Sequence, residues 1–227
     1  MQHVVWSGPR RFVSKTSSLV RSSYGASRRL HAPRKAIWQA SKENVMTPRP
    51  VCNAAVNLVK QYEGIPGFGD STGTIRPYLD PVGIWTIGWG HAISSGGHFL
   101  RGNASLAQVK ALYPAGITVA QAETLLQGDL MQAGAGVLAL VTIALNDNQY
   151  GALTSFAFNL GIANLRSSTL LTLLNAGNFT GAADQFLRWC HANGQALPGL
   201  LKRRNAERSL FLERVSLPLN AVAEHAD

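Results

Sequence analysis

Cysteine is almost missing from this chain: Cys52 and Cys190 are the only two among 227 residues. Two thiols make no disulfide framework, and no Cys/His spacing suggests a zinc site. They read as reduced thiols, with a single bridge as the alternative. Long apolar runs are lacking too. The most apolar stretch, Val137 to Leu145, contains Thr142 and falls far short of the roughly 20 residues that span a bilayer. No secretory apolar region follows Met1. Despite 22 glycines there is no GxGxxG loop to cradle a phosphate. No cofactor and no metal are therefore expected, and no internal repeat is visible.

Acidic residues are scarce in one part of the chain only. The first 50 residues carry ten Lys/Arg and a single acid, Glu43, whereas residues 51–227 carry eleven of each sign. The net charge of +9 thus belongs to an N-terminal arm and not to the body. A nucleic-acid partner, which needs a basic face on the folded part, does not fit that distribution. Residues 1–48 read as a basic, disordered arm, or as translation upstream of a natural start at Met46. A cationic arm for anionic envelope polymers and an organelle transit peptide are the other readings. Residues 49–213 form the folded domain, and 214–227 a polar tail.

What is present is a pattern of capped helices around one short hairpin. Apolar residues at 51, 54, 55, 58, 59 and 62 mark one face of a helix, and Gly64 follows as its stop. Glu63 then sits on the last turn, where the helix dipole is negative and favours the protonated carboxyl that a general acid needs. Residues 65–77 are a Gly/Pro-rich loop with Asp70, with a short extended piece at Thr74–Arg76. Tyr78 to His91 reads YLDPVGIWTIGWGH: Asp80 beside an Asp-Pro-Val-Gly turn, then a β-branched and aromatic strand with Thr86 six residues on. Ser94–Gly102 is expected to be a Gly/Ser loop. Thr118 with Gln121 and Asn146 with Gln149 are capping-box pairs. They start a long middle helix, which Gly134 and Gly136 should break or bend, and an almost wholly apolar helix ending at Gly161. Short helices are expected at 168–177 and 181–191. Pro198 opens a last one, whose charged run Lys202–Arg208 reads as a solvated face.

The fold class implied is α+β, a small hairpin lobe with a larger helical lobe and a cleft between them. Two carboxylates and a hydroxyl at such a place suit acid–base cleavage of a glycoside. The residues themselves leave Asp70 open as the acid in place of Glu63.

Glu63-Gly64 with Tyr78–His91 resembles the active-site region of the phage-type lysozymes, glycoside hydrolase family 24. Gly116–Leu126, Ser155–Gly161 and Arg203–Arg208 are similar to later parts of that family, and the resemblance covers about residues 50–213. It implies a lysozyme-like fold and a muramidase, an endolysin that hydrolyses the β-1,4 bond between N-acetylmuramic acid and N-acetylglucosamine. Glu63 would be the general acid, Asp80 the ionised carboxylate that stabilises the sugar cation or holds water, and Thr86 the group that orients them. Arg203, or else Arg204, would tie the acid; Phe158 and Asn159 would face the cleft, and His91 would support it. The partner implied is the peptidoglycan glycan strand, met as a monomer. The protein would collect in the host bacterial cytoplasm and reach the wall, on the periplasmic side, through a separate holin. The other readings are a catalytically silent peptidoglycan-binding module and a lytic transglycosylase. One departure stands out. Sixteen residues separate Glu63 from Asp80, where the family usually has about eight, an excess that a flexible loop absorbs at small entropic cost.

Overall fold

The computed structural model describes residues 49–66, 73–192 and 194–213. The N-terminal arm 1–48, Asp70 and the tail 214–227 lie outside the described residues.

The first helix, α1 (Asn53–Glu63), buries Ala55, Leu58 and Val59 along one face. It stops where Gly64 turns to φ +61° and its N–H closes on the Lys60 carbonyl. A three-stranded antiparallel sheet follows: β1 (Tyr78–Leu79), β2 (Trp85–Ile87) and β3 (His91–Ala92), in sequential order. Tyr78 pairs with Thr86 and Ile87 with His91. Ile75 bridges to Ile117, so the expected extended piece at 74–76 ties the sheet to the chain entering the middle helix. Ser94–Gly102 is not a plain loop. It holds a two-stranded hairpin, β4 (Ser94–Ser95) and β5 (His98–Phe99), turned at Gly96 and Gly97. Both glycines have positive φ, the backbone that a two-residue hairpin turn of matching twist demands.

After a short α2 (Leu106–Leu112), α3 (Val119–Leu138) and α4 (Asp147–Leu160) both begin with complete capping boxes, on Thr118 and Asn146. The expected break in α3 does not occur; the helix runs through Gly134 and Gly136 to Leu138. Both glycines serve close packing instead. A Cβ on Gly134 would lie 2.0 Å from the Tyr150 hydroxyl, and one on Gly136 would lie 2.9 Å from the Ile162 side chain. A glycine costs a helix only about 1 kcal/mol, so a helix fixed by tertiary contacts tolerates them. Three short helices come next, α5 (Ile162–Arg166), α6 (Thr169–Asn175) and α7 (Phe179–Gln185). A 3-10 turn (Phe186–Trp189) and a small hairpin of β6 (His191–Ala192) with β7 (Gln195–Ala196) lead to α8 (Pro198–Leu212).

The helical lobe packs around α4, with Tyr150, Leu153 and Phe156 fully buried and Phe156 edge-on to Phe186 and Trp189. The sheet lobe has its own core of Ile75, Trp85, Ile87, Ile93 and Ile117. A third cluster joins the two: Val59 of α1, Leu126 and Leu130 of α3, and Phe158 of α4, with Trp89 packed against it. The Glu63 end of α1 is thereby carried to the sheet. The α+β architecture is as the sequence implied. Cys52 and Cys190 are both free thiols.

Candidate active site

Glu63 ends α1 with its side chain only 14% exposed. Its Oε1 accepts from Arg203 Nη1 at 2.5 Å. Its Oε2 faces Gly90, where a Cβ would come within 3.4 Å of that oxygen and 3.7 Å of the Phe158 ring. Gly90, at φ +85°, leaves the space that the carboxylate occupies. The arginine also answers the local field, since the C-terminal end of a helix favours a cation.

Asp80 follows β1, and its Oδ1 accepts from the backbone N–H groups of Val82 (2.9 Å) and Ile84 (2.7 Å). This is the side-chain-to-backbone turn for which Asp is chosen. One oxygen is spent on local structure, and Oδ2 has no hydrogen-bond partner among the described residues. Thr86, at the centre of β2, is 4% exposed, and its hydroxyl donates to the Ile84 carbonyl at 3.2 Å. Its proton is thus committed to the backbone and its lone pairs are left to accept. Tyr78 is paired with Thr86 across the hairpin. Burial first, and then the charges of Glu63 and Asp80, push its phenol well above the ordinary tyrosine value. Tyr78 therefore lies in the field of both carboxylates and stays neutral.

Behind Glu63 the charges continue inward along α8. Arg203 Nε donates to Glu207 Oε1 at 3.1 Å, and Ser155 Oγ donates to the same oxygen at 2.8 Å. Glu207 Oε2 makes an ion-pair contact with Arg204 Nε at 3.2 Å, and Arg204 Nη2 donates to Asn159 Oδ1. Burial opposes the Arg203 charge, but Glu63 and Glu207 outweigh it and hold the guanidinium above its ordinary value. Burial draws Arg204 below its own.

Of the residues anticipated from sequence, Glu63 lies at the α1–sheet junction beside Gly90, Asp80 and Thr86 lie on the hairpin, and Arg203 rather than Arg204 ties Glu63. Phe158 lies at the same junction, 8% exposed. Asn159 is turned inward: it is 5% exposed and its carbonyl oxygen serves Arg204. His91 Nδ1 donates to Asp129 Oδ2 at 2.9 Å and so fastens β3 to α3. The run Lys202–Arg208 is not a solvated face, because Arg203, Arg204 and Glu207 are all buried. Glu207 and Tyr78 were missed as site residues. The spacing of Arg203 and Glu207, four apart on one helix face, was the available signal. No group of His, Cys, Asp and Glu able to hold a metal occurs among the described residues.

The family model described as "Phage lysozyme" matches residues 70–207, a span that begins after Glu63. The endolysin of Bacillus phage B103 is 37% identical over 162 residues, 71% of this chain and 54% of that protein. This chain thus spans about half the length of that relative. The endolysin of Acyrthosiphon pisum secondary endosymbiont phage 1 is 37% identical over 158 residues, 68% of this chain and 92% of that protein. Among solved structures, a mutant of P22 lysozyme superposes with a TM-score of 0.56 at 32% identity, covering 73% of this chain and 99% of that one.

Proposed function

The chain belongs to the phage lysozyme family, and from that premise we propose that it is a muramidase. It hydrolyses the β-1,4 bond between N-acetylmuramic acid and N-acetylglucosamine in peptidoglycan and so lyses the host cell. One observation carries the reading. An acid on the end of α1 is tied by Arg203 at 2.5 Å, and its charge, with that of the acid on the hairpin, adds to burial in raising the Tyr78 phenol.

Glu63 gives its proton to the glycosidic oxygen. Its narrow exposure and its two fixed sides, Arg203 and Gly90, hold the carboxyl in one place, which proton transfer requires. Asp80 serves as the carboxylate that meets the positive charge growing on the sugar ring, or holds the attacking water. Thr86, whose proton is already given to Ile84, accepts a hydrogen from that water. Neutral Tyr78 keeps the site from gathering a third negative charge.

The partner is the peptidoglycan glycan strand, and the enzyme works as a monomer. No helix among the described residues is long and apolar enough to cross a membrane. Accumulation in the host cytoplasm, with a separate holin opening the way to the wall, completes the proposal.

The test is turbidity loss of outer-membrane-permeabilised bacteria with wild type and Glu63→Gln. The variant should lose about 10²–10⁴-fold in rate, the usual worth of a positioned acid. Undiminished lysis by the folded variant defeats the assignment.

A further inference from the structure

Four charged side chains stand in file from the site inward: Glu63, Arg203, Glu207 and Arg204, with exposures of 14%, 4%, 0% and 0%. Their signs alternate. Glu207 reaches no surface, and Arg203 stands between it and Glu63. A fully buried carboxylate is costly, and packing alone favours an apolar side chain in its place. Yet each Glu207 oxygen faces a partner: Arg203 and Ser155 hydrogen-bond to Oε1, and Arg204 makes an ion-pair contact with Oε2.

Two consequences follow from that placement. First, Glu207 takes the Nε edge of Arg203. The guanidinium is a rigid fork, so with Nε held the Nη1 corner is the one presented to Glu63. Second, Glu207 lies against Arg204, the next residue on α8. Without it two adjacent buried guanidiniums would face Glu63 with a combined charge of +2. With it the sum is +1.

We propose that Glu207 is a positioning residue for the acid: it sets the Arg203 fork toward Glu63 and cancels the Arg204 charge, so that Glu63 meets one net positive neighbour instead of two. The inference rests on the reading of Glu63 as the acid. The other groups around Glu63 do not supply this balance. Tyr78 on β1 is neutral, Asp80 stands beyond it, and Gly90 and Phe158 carry no charge. Tyr62, on α1 itself, donates its phenol proton to the Lys202 carbonyl. Excess positive charge beside a carboxyl favours its ionised form, and an acid that has lost its proton cannot give it to a leaving group.

The experiment uses the full chain, with Glu207→Gln, Arg204→Gln and the double variant. Release of reducing ends from soluble peptidoglycan fragments is followed from about pH 4 to 9, with folding checked by circular dichroism. Glu207→Gln should move the alkaline limb of the activity profile about one unit lower, with KM unchanged and the neutral-pH rate reduced. Arg204→Gln should move the limb the other way, and the double variant should return it toward wild type. Because the two shifts oppose, either single variant decides the question if the other does not fold. A limb that stays in place while only thermal stability falls overturns the proposal and makes Glu207 a purely structural residue. Glu63→Gln is read separately: if it remains active, the acid assignment itself fails, whatever Glu207 does.

Discussion

Two glycines on one helix should answer the same substitution with opposite signs. Gly134 and Gly128 both lie in α3. At Gly134 an added Cβ would stand 2.0 Å from the Tyr150 hydroxyl oxygen and 2.8 Å from its ring carbon. Tyr150 cannot simply retreat: it is 0% exposed, its hydroxyl donates to the Arg49 carbonyl at 3.2 Å, and the Arg49 guanidinium covers its ring at 4.4 Å. Forcing the ring aside costs about 1–3 kcal/mol as overpacking, and losing the hydroxyl bond about 1 kcal/mol. The better helix propensity of alanine returns about 1 kcal/mol. Gly134→Ala should therefore destabilise by about 2 kcal/mol and lower Tm by about 4–8 °C for a chain of this size. At Gly128 nothing lies within 4 Å. There the same change should stabilise by about 0.4–1 kcal/mol, a rise in Tm of about 1–4 °C. Thermal melts followed by circular dichroism measure both. If Gly134→Ala melts at or above wild type, the close approach of α3 to α4 is not what keeps glycine there, and the reasoning fails.

The site and the thiols give further tests. Arg203→Met leaves Glu63 and the fully buried Glu207 short of a partner. Breaking such a pair costs about 3–5 kcal/mol, which should appear as a Tm about 6–20 °C lower, and lysis should be impaired even where the variant is folded. A dithiol reductant should leave Tm unchanged, and thiol titration of the unfolded chain should find both Cys52 and Cys190, since both are free; a reductant-dependent melt would contradict this. Mass spectrometry of the digested glycan should show ordinary reducing ends. Anhydromuramic ends would replace hydrolysis by a transglycosylase reaction.

Features that depend on neighbours in the chain were legible without coordinates. The caps of α3 and α4 are formed by Thr118 with Gln121 and Asn146 with Gln149, as their spacing implied. Gly64 ends α1, Pro198 opens α8, and Asp80, Thr86 and His91 follow one another along the three-stranded sheet. Each needs only local hydrogen bonds and dihedrals, so residue type and spacing determine it. Gly96-Gly97 is equally local, but a hairpin of two-residue strands leaves too little alternation to distinguish it from a loop.

Other features were decided by what packs against a residue from far along the chain. Gly134 and Gly136 look like helix breakers until Tyr150 and Ile162 are placed over them. Arg203, Arg204 and Glu207 look like a solvated charge run until α4 covers them with Ser155 and Asn159. Sequence alone singled out Glu63, Asp80 and Thr86 as the candidate groups for the chemistry. Only the tertiary structure determined which arginine meets Glu63 and which carboxylate stands behind it. A buried charge is tolerable only where its partners converge, and those partners come from α1, α4 and α8, elements distant in the chain and adjacent in space.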